Sequence, residues 1–324
     1  MATKTETKRA EAKEAVETLH AKLAAITTVE EWTEWLAFSS RFRDYSAMNT
    51  MWMMAQWYIR REFTALMNVW TAGRIAPLAP LTQPAAASKW TDMGGHMKKG
   101  EKALSVMAPI FVRDKNDLDD AGQPKKKLIG FQLKRRTFDA SQIGGIEIPE
   151  RPIIECERLT GSEADDGEVW DALVAVANEA GFDVSVESIH GEVNGWCNHG
   201  TMKIAVDKDM DRPQQIKTLI HEIGHALLHG DFLGSGFLSR EQKEVEAESV
   251  AFTVAHMLGR NTEGYSIGYI VSWAEGNGEL IARTMGRVID TAQRIADALE
   301  GKGVRAAKCK AVPDPNPVEE AIAA

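Results

Sequence analysis

Three residues in the stretch TLIHEIGHALLHG, residues 218–230, have the types and spacing for metal chemistry: His221, Glu222 and His225. On an α-helix, residues four apart share a face, so both imidazoles can reach one ion. Glu222 sits about 100° round from His221, close enough to reach a water at that ion without being a ligand. Two imidazoles that bind and a carboxylate that takes a proton from water are the parts of metal-assisted hydrolysis. Leu219, Ile220, Ile223, Ala226 and Leu227 supply the apolar packing around this polar trio.

Catalytic zinc takes three protein ligands and leaves a fourth position for water. Nineteen residues after His225, KEVEAESVAF offers Glu244, Glu246 and Glu248. Glu244 and Glu248 share one helical face, and Glu246 points roughly away. Glu244 is the expected third ligand, with Glu248 holding the other N–H of a histidine. The plainer alternatives are a chance HExxH on a surface helix and a solvated acidic face. His229 lies one turn beyond His225, where it could line the cleft, with helix-end packing as the expected role. Cys197 and His199 in GWCNHG could in principle approach the metal, with a free thiol and a loop histidine of no metal role as the expected reading. Tyr265 and Tyr269 are candidates to stabilise an oxyanion, against the plainer reading as core tyrosines.

Several elements must position these groups. A charged first helix carries Val16, Leu19, Leu23 and Ile26 at steps of three and four. A second starts at a Thr28/Glu31 capping box and buries Trp32, Trp35 and Leu36. A third, about 46–60, is rich in Met and Trp. The proline-rich 76–88 stretch reads as a loop. Residues 103–112 and 128–138 read as two strands with a polar excursion between them, in which Lys125–Lys127 belong to a solvated loop. The later half reads as a helix over about 168–180, strands at FDVSVES and GTMKIAVD, then helices at about 213–229, 240–258 and 278–299.

The chain has 324 residues, enough for two cores. Its net charge of −9 hides an asymmetry: residues 1–150 carry 22 Lys and Arg against 18 Asp and Glu, and the rest carry 16 against 29. A basic half on an acidic half directs the search for a polyanion site to the first. Three scattered cysteines, Cys156, Cys197 and Cys309, fit a reducing compartment. With no signal-like N-terminus and no apolar run of about 18 residues, the expected location is the cytoplasm, without a membrane span.

HEIGHALLH followed by EVEAESVAF resembles the ImmA/IrrE-type metallopeptidases, with their HExxH helix and a later ExxA(N/D/E) helix. In that gluzincin arrangement the first Glu of the later helix binds zinc, which falls on Glu244. The TMKIAV strand, residues 201–206, resembles the family's edge strand, and such a strand takes an extended peptide by β-augmentation. RDYSAMNTMWMMAQ, KWTDMGGHMKKGEKALSVMAPI and RRTFDASQIGG resemble the single-stranded-DNA-binding domain of ArdC-type antirestriction proteins. The sequence departs from that pattern in its longer connection before Trp90 and in Gly95-His96 where an arginine is expected.

A single strand is held by cations along its phosphates and aromatic faces on its bases. Lys98, Lys99, Lys102, Lys134, Arg135 and Arg136 are candidates for the first role, with Arg41, Arg43 and Arg74. Tyr45, Trp57, Tyr58, Trp70 and Trp90 are candidates for the second. The expected fold is α+β: a charged extension (1–19), a domain of helices and a small sheet (20–154), an acidic linker (155–167), a zincin-like domain with an HExxH helix (168–300) and a tail (301–324). The expected function is a mobile-element or phage-related protein that couples single-stranded DNA to zinc-dependent hydrolysis of a protein partner, with one Zn2+ per chain. The alternative is a non-proteolytic DNA protector in which zinc braces the fold.

Overall fold

The computed structural model describes residues 4–26, 28–40, 42, 45–71, 81–118, 123–148, 166–191, 193–230, 238–260 and 277–301. Arg41, Arg43, Arg74, Tyr265, Tyr269, Cys156 and Cys309, the acidic 155–165 stretch, and the tail beyond Gly301 lie outside the described residues. Two compact units emerge. The first takes residues up to Lys22 and Met48–Ile148; the second takes Leu23–Ala47 and residues of Pro149–Cys309. The segment read from sequence as one domain, 20–154, is therefore divided, because the second helix packs with the later half of the chain.

Three helices open the chain: α1 (Lys4–Ala24), α2 (Val29–Ser39) and α3 (Ala47–Thr71). Thr28 caps α2 through the expected capping box with Glu31, and Trp32, Trp35 and Leu36 are buried. Helix α3 runs about three turns past the expected end at Arg60, since no Gly or Pro interrupts 61–71. Its Met51, Met53 and Met54 are buried.

The first unit continues with β1 (Ala85–Ala86), α4 (Ala87–Asp92), β2 (His96–Met97), β3 (Leu104–Leu118), β4 (Pro124–Phe138) and β5 (Ile143–Gly144). The sheet order is β1-β4-β3, and β2 pairs with β5. The β3/β4 hairpin is longer than the sequence suggested: Arg113↔Lys126 and Asp114↔Lys125 stay in register, so Lys125–Lys127 lie on a strand, not in a loop. The free edge of β3 meets α3 side chains. Asn49 Nδ2 donates to the Met107 carbonyl (3.1 Å) and Asn49 Oδ1 accepts from its N–H (2.7 Å), while Gln56 does the same for Ser105. Two amides thus stand in for a neighbouring strand, and Pro109 next along the edge lacks a donor.

The second unit holds α5 (Asp166–Glu179), β6 (Asp183–Glu187), β7 (Gly195–Asn198), β8 (Lys203–Asp207), α6 (Arg212–Leu228), α7 (Arg240–Met257) and α8 (Gly278–Leu299). Strand β8 is parallel to β6 and antiparallel to β7, in the order β6-β8-β7. The TMKIAV segment is therefore a central strand, which corrects the expectation of an edge. Ile204, Ala205 and Val206 are all fully buried, as consecutive residues are when both faces are covered. The edges are β6 and β7, and the four residues GWCN of β7 carry too little alternation to read as a strand. Among the described residues no helix is long and apolar enough to cross a membrane.

Candidate metal centre

Helix α6 starts at Asp211, whose side chain caps Gln214 N at 2.9 Å, with Pro213 in the first turn. It then runs unbroken through His221, Glu222 and His225. Helix α7 starts at a Ser239/Gln242 capping box and brings Glu244 to the same place one turn later. Gly224 helps here: a Cβ there would stand 3.3 Å from the Ala247 Cα and 3.4 Å from its carbonyl oxygen, so a side chain would push the helices apart by a few tenths of an ångström.

His221, His225 and Glu244 each place one ligand atom within 4.8 Å of the others. The separations are 3.0 Å between the two Nε2 atoms, 3.4 Å from His221 Nε2 to Glu244 Oε2 and 3.5 Å from His225 Nε2 to Glu244 Oε2. Ligands bound at about 2.0–2.1 Å around a tetrahedral ion stand roughly 3.4 Å apart. The donor set, two imidazoles and a carboxylate, fits a divalent metal at that spacing.

Burial acts to lower the His221 imidazole, but its hydrogen bonds with Glu244 and Glu248 outweigh it and push the group up to about 9. The same two histidines hold the Glu244 carboxyl well below the usual carboxylate range. Without a cation, a proton on His221 does part of the metal's electrostatic work.

Each imidazole is also held from behind. His221 Nδ1 is 3.0 Å from Glu248 Oε2, and Glu248 Oε1 is 3.7 Å from Lys217 Nζ. His225 Nδ1 is 2.9 Å from His229 Nδ1, and His229 Nε2 is 3.0 Å from Glu246 Oε2. Helix-end packing thus understates His229, which is buried, and Glu246, which points away from the ligands only to end on that histidine.

The cleft over the ligands measures about 660 Å³ and is lined by β7, α6 and the first turns of α7. Gly195 lies tight against α6: a Cβ there would be 2.6 Å from Thr218 Cγ2 and 3.2 Å from Glu222 Oε1. Glu222 is 6% exposed, and burial raises its carboxyl against the lowering pull of His221 and His225. Cys197 lines the cleft too, its thiol pushed up to about 12 by burial and by Glu222. Cys197 and His199 both line the cleft, because β7 and the turn after it form its wall, and neither belongs to the ligand trio.

In the first unit, Lys98, Lys99, Lys102, Lys134, Arg135 and Arg136 are all exposed. Lys98 Nζ donates to the Ser141 carbonyl at 2.8 Å, and Gln142 donates to the Lys102 carbonyl at 3.0 Å, so the two loops are clipped together. Pleating sends Lys134, opposite Val106, and Arg135, opposite Ser105, to different faces of the hairpin. Trp90 is 3% exposed, with its indole N–H on the Phe138 carbonyl at 2.9 Å, so it is core and presents no stacking face. Trp57 is buried, and Tyr45 and Tyr58 are half-buried. Tyr45 belongs to the second unit. Sequence reading passed over Phe111 and Leu128, which are 53% and 47% exposed, paired across the hairpin, and followed on the same face by Arg113 and Lys126. Exposure of an aromatic beside cations carries no periodic signal in the sequence.

Residues 177–260 match the Peptidase M78 family, the IrrE N-terminal-like domain. An uncharacterized protein of Bacillus anthracis, pXO2-81, is 23% identical over 253 residues, covering 67% of this chain and 42% of that protein. The chain thus spans less than half the length of that relative. The chain is also similar to crystal structures of the antirestriction protein ArdC from the R388 plasmid. The metal-free and Mn(II)-bound forms each align at 21% identity over 79% of this chain and 84% of that one, with TM-scores of 0.46 and 0.44.

Proposed function

We propose that the second unit is a zinc-dependent peptidase of the gluzincin type, and that the first unit binds single-stranded DNA in an antirestriction setting. The observation that carries the first half is the convergence of His221, His225 and Glu244 at ligand spacing, beside a buried Glu222, within the segment that matches the IrrE N-terminal-like domain.

His221, His225 and Glu244 would hold the ion, leaving the cleft side open. Bound there, zinc supplies Lewis acidity toward a carbonyl oxygen and lowers the pKa of water. Glu222 takes a proton from the attacking water and passes it to the leaving amine. Its burial keeps it basic enough to do so. Edge strand β7, which borders the cleft, offers backbone groups to an extended peptide.

For the DNA-binding half, the support is the exposed cations of the 98–102 loop and of β4, with Phe111 and Leu128 as apolar faces. Two measurements test the reading. Zinc titration of the whole chain should give one site that His221→Ala removes; equal binding by the two sinks the metal centre. Single-stranded oligonucleotide binding should weaken steeply with salt. No binding at low salt removes the antirestriction reading.

A further inference from the structure

The His229–Glu246–Arg287 cluster lies one contact beyond the ligand His225, and its His229 also lines the cleft. It joins three helices: His229 ends α6, Glu246 is on α7 and Arg287 is on α8. The His229 and Glu246 side chains are 3% and 2% exposed. Arg287 Nη2 stands 3.2 Å from Glu246 Oε2 and also donates to the Leu228 carbonyl at 2.8 Å. A carboxylate this buried is expected only when paired, and here it has both a guanidinium and an imidazole.

We infer that this cluster is a positioning relay that fixes the tautomer of His225. The inference rests on the metal-binding reading above. Glu246 Oε2 accepts from the Arg287 guanidinium, and the same oxygen faces His229 Nε2, so His229 Nε2 must carry the proton it donates. Neutral His229 then has a bare Nδ1. Across the 2.9 Å contact the donor must be His225 Nδ1–H. That leaves the lone pair of His225 on Nε2, the atom aimed at His221 and Glu244. Reversing any one of these hydrogen bonds puts a proton on His225 Nε2 and removes it as a ligand. The relay matches the role of Glu248 on His221, but reaches its carboxylate through a second imidazole. His229 and Glu246 are positioning residues.

His229→Phe tests this: it removes the ring nitrogen that accepts from His225 Nδ1–H and leaves Glu246 paired with Arg287. Zinc affinity should be measured by chelator competition at fixed pH on the full chain, with far-UV circular dichroism to establish folding and His221→Ala as the control without a site. The expected result is a folded variant whose zinc affinity is down ~10–100-fold. A folded His229→Phe chain with wild-type affinity overturns the relay. Wild-type chain that binds no zinc overturns the metal reading and the relay with it. Long-range 15N–1H correlation of the histidine rings in the metal-free wild-type chain separates a relay from mere packing, and decides alone if His229→Phe does not fold. Nε2–H on His229 and Nδ1–H on His225 support the relay; the opposite tautomers overturn it.

Discussion

The Trp32 indole N–H donates to Ser249 Oγ at 3.0 Å, across 217 positions of sequence, and both residues are fully buried. The bond pins α2 to the middle of α7, the helix whose first turns carry Glu244 and Glu248. A helix from the first forty residues is therefore part of the scaffold that aims the ligands.

Ser249→Ala should cost about 1–3 kcal/mol, because it leaves a buried N–H without an acceptor. Trp32→Ala should cost about 3–5 kcal/mol through the cavity as well. Thermal melting of the full chain checks both. If Ser249→Ala melts with wild type, α2 does not brace α7.

The helix pattern of the second unit was legible because its signals are local. Asp211, Ser239 and Asn277 each precede an apolar stripe and each caps a helix. The HExxH spacing is local too, and the face shared by Glu244 and Glu248 follows from the period of α7. What the sequence hid was non-local. Strand β7 exists because it pairs with β8, and nothing in GWCN announces that partner. The attachment of α2 to α7 depends on a Trp–Ser contact that no window of residues contains. Trp90 failed as a stacking face for a related reason: an aromatic next to lysines in sequence is core once Phe138, Ala140 and Ile143 close over it.

Metal binding at this centre should depend on pH in one direction. The His221 imidazole is raised from an ordinary 6.5 to about 9 in the metal-free fold. Its charge stabilises that fold fully below about pH 6.5, and the contribution is lost as pH rises through 9. Glu244 is lowered, so its contribution is present above its ordinary 4.5 and disappears on acidification. An incoming cation must displace the His221 proton, so zinc affinity should rise about tenfold per pH unit from 6.5 and level off near 9. Chelator competition across that range, with proton release at neutral pH, checks it. A flat profile would show that His221 binds the ion without giving up a proton.

Glu222→Gln should separate binding from chemistry. The ligand set is untouched, so zinc affinity should stay within a few-fold of wild type, while peptide hydrolysis should fall by about 10²–10⁴. Gly195→Ala acts on the same carboxylate from the other side. Its methyl must displace Thr218 or the β8 backbone at Ala205, 3.0 Å away, and should lower hydrolysis while zinc still binds. Activity in Glu222→Gln equal to wild type would remove Glu222 as the base.

The hairpin offers a way to tell stacking from phosphate binding. Phe111 is exposed and pairs with Leu128, and Arg113 pairs with Lys126 on the same face. A base stacked on Phe111 contributes about 1–3 kcal/mol without releasing counterions. Phe111→Ala should therefore weaken oligonucleotide binding roughly 5- to 150-fold at every salt concentration and leave the salt slope unchanged. Arg113→Ala with Lys126→Ala should instead flatten the slope, by about 0.7 for each single-strand phosphate that is no longer neutralised. Fluorescence anisotropy over a salt series reads both quantities from one titration set. If Phe111→Ala binds like wild type while Lys134→Ala and Arg135→Ala do not, the strand lies across the base of the hairpin, and the exposed Phe111–Leu128 pair serves something else.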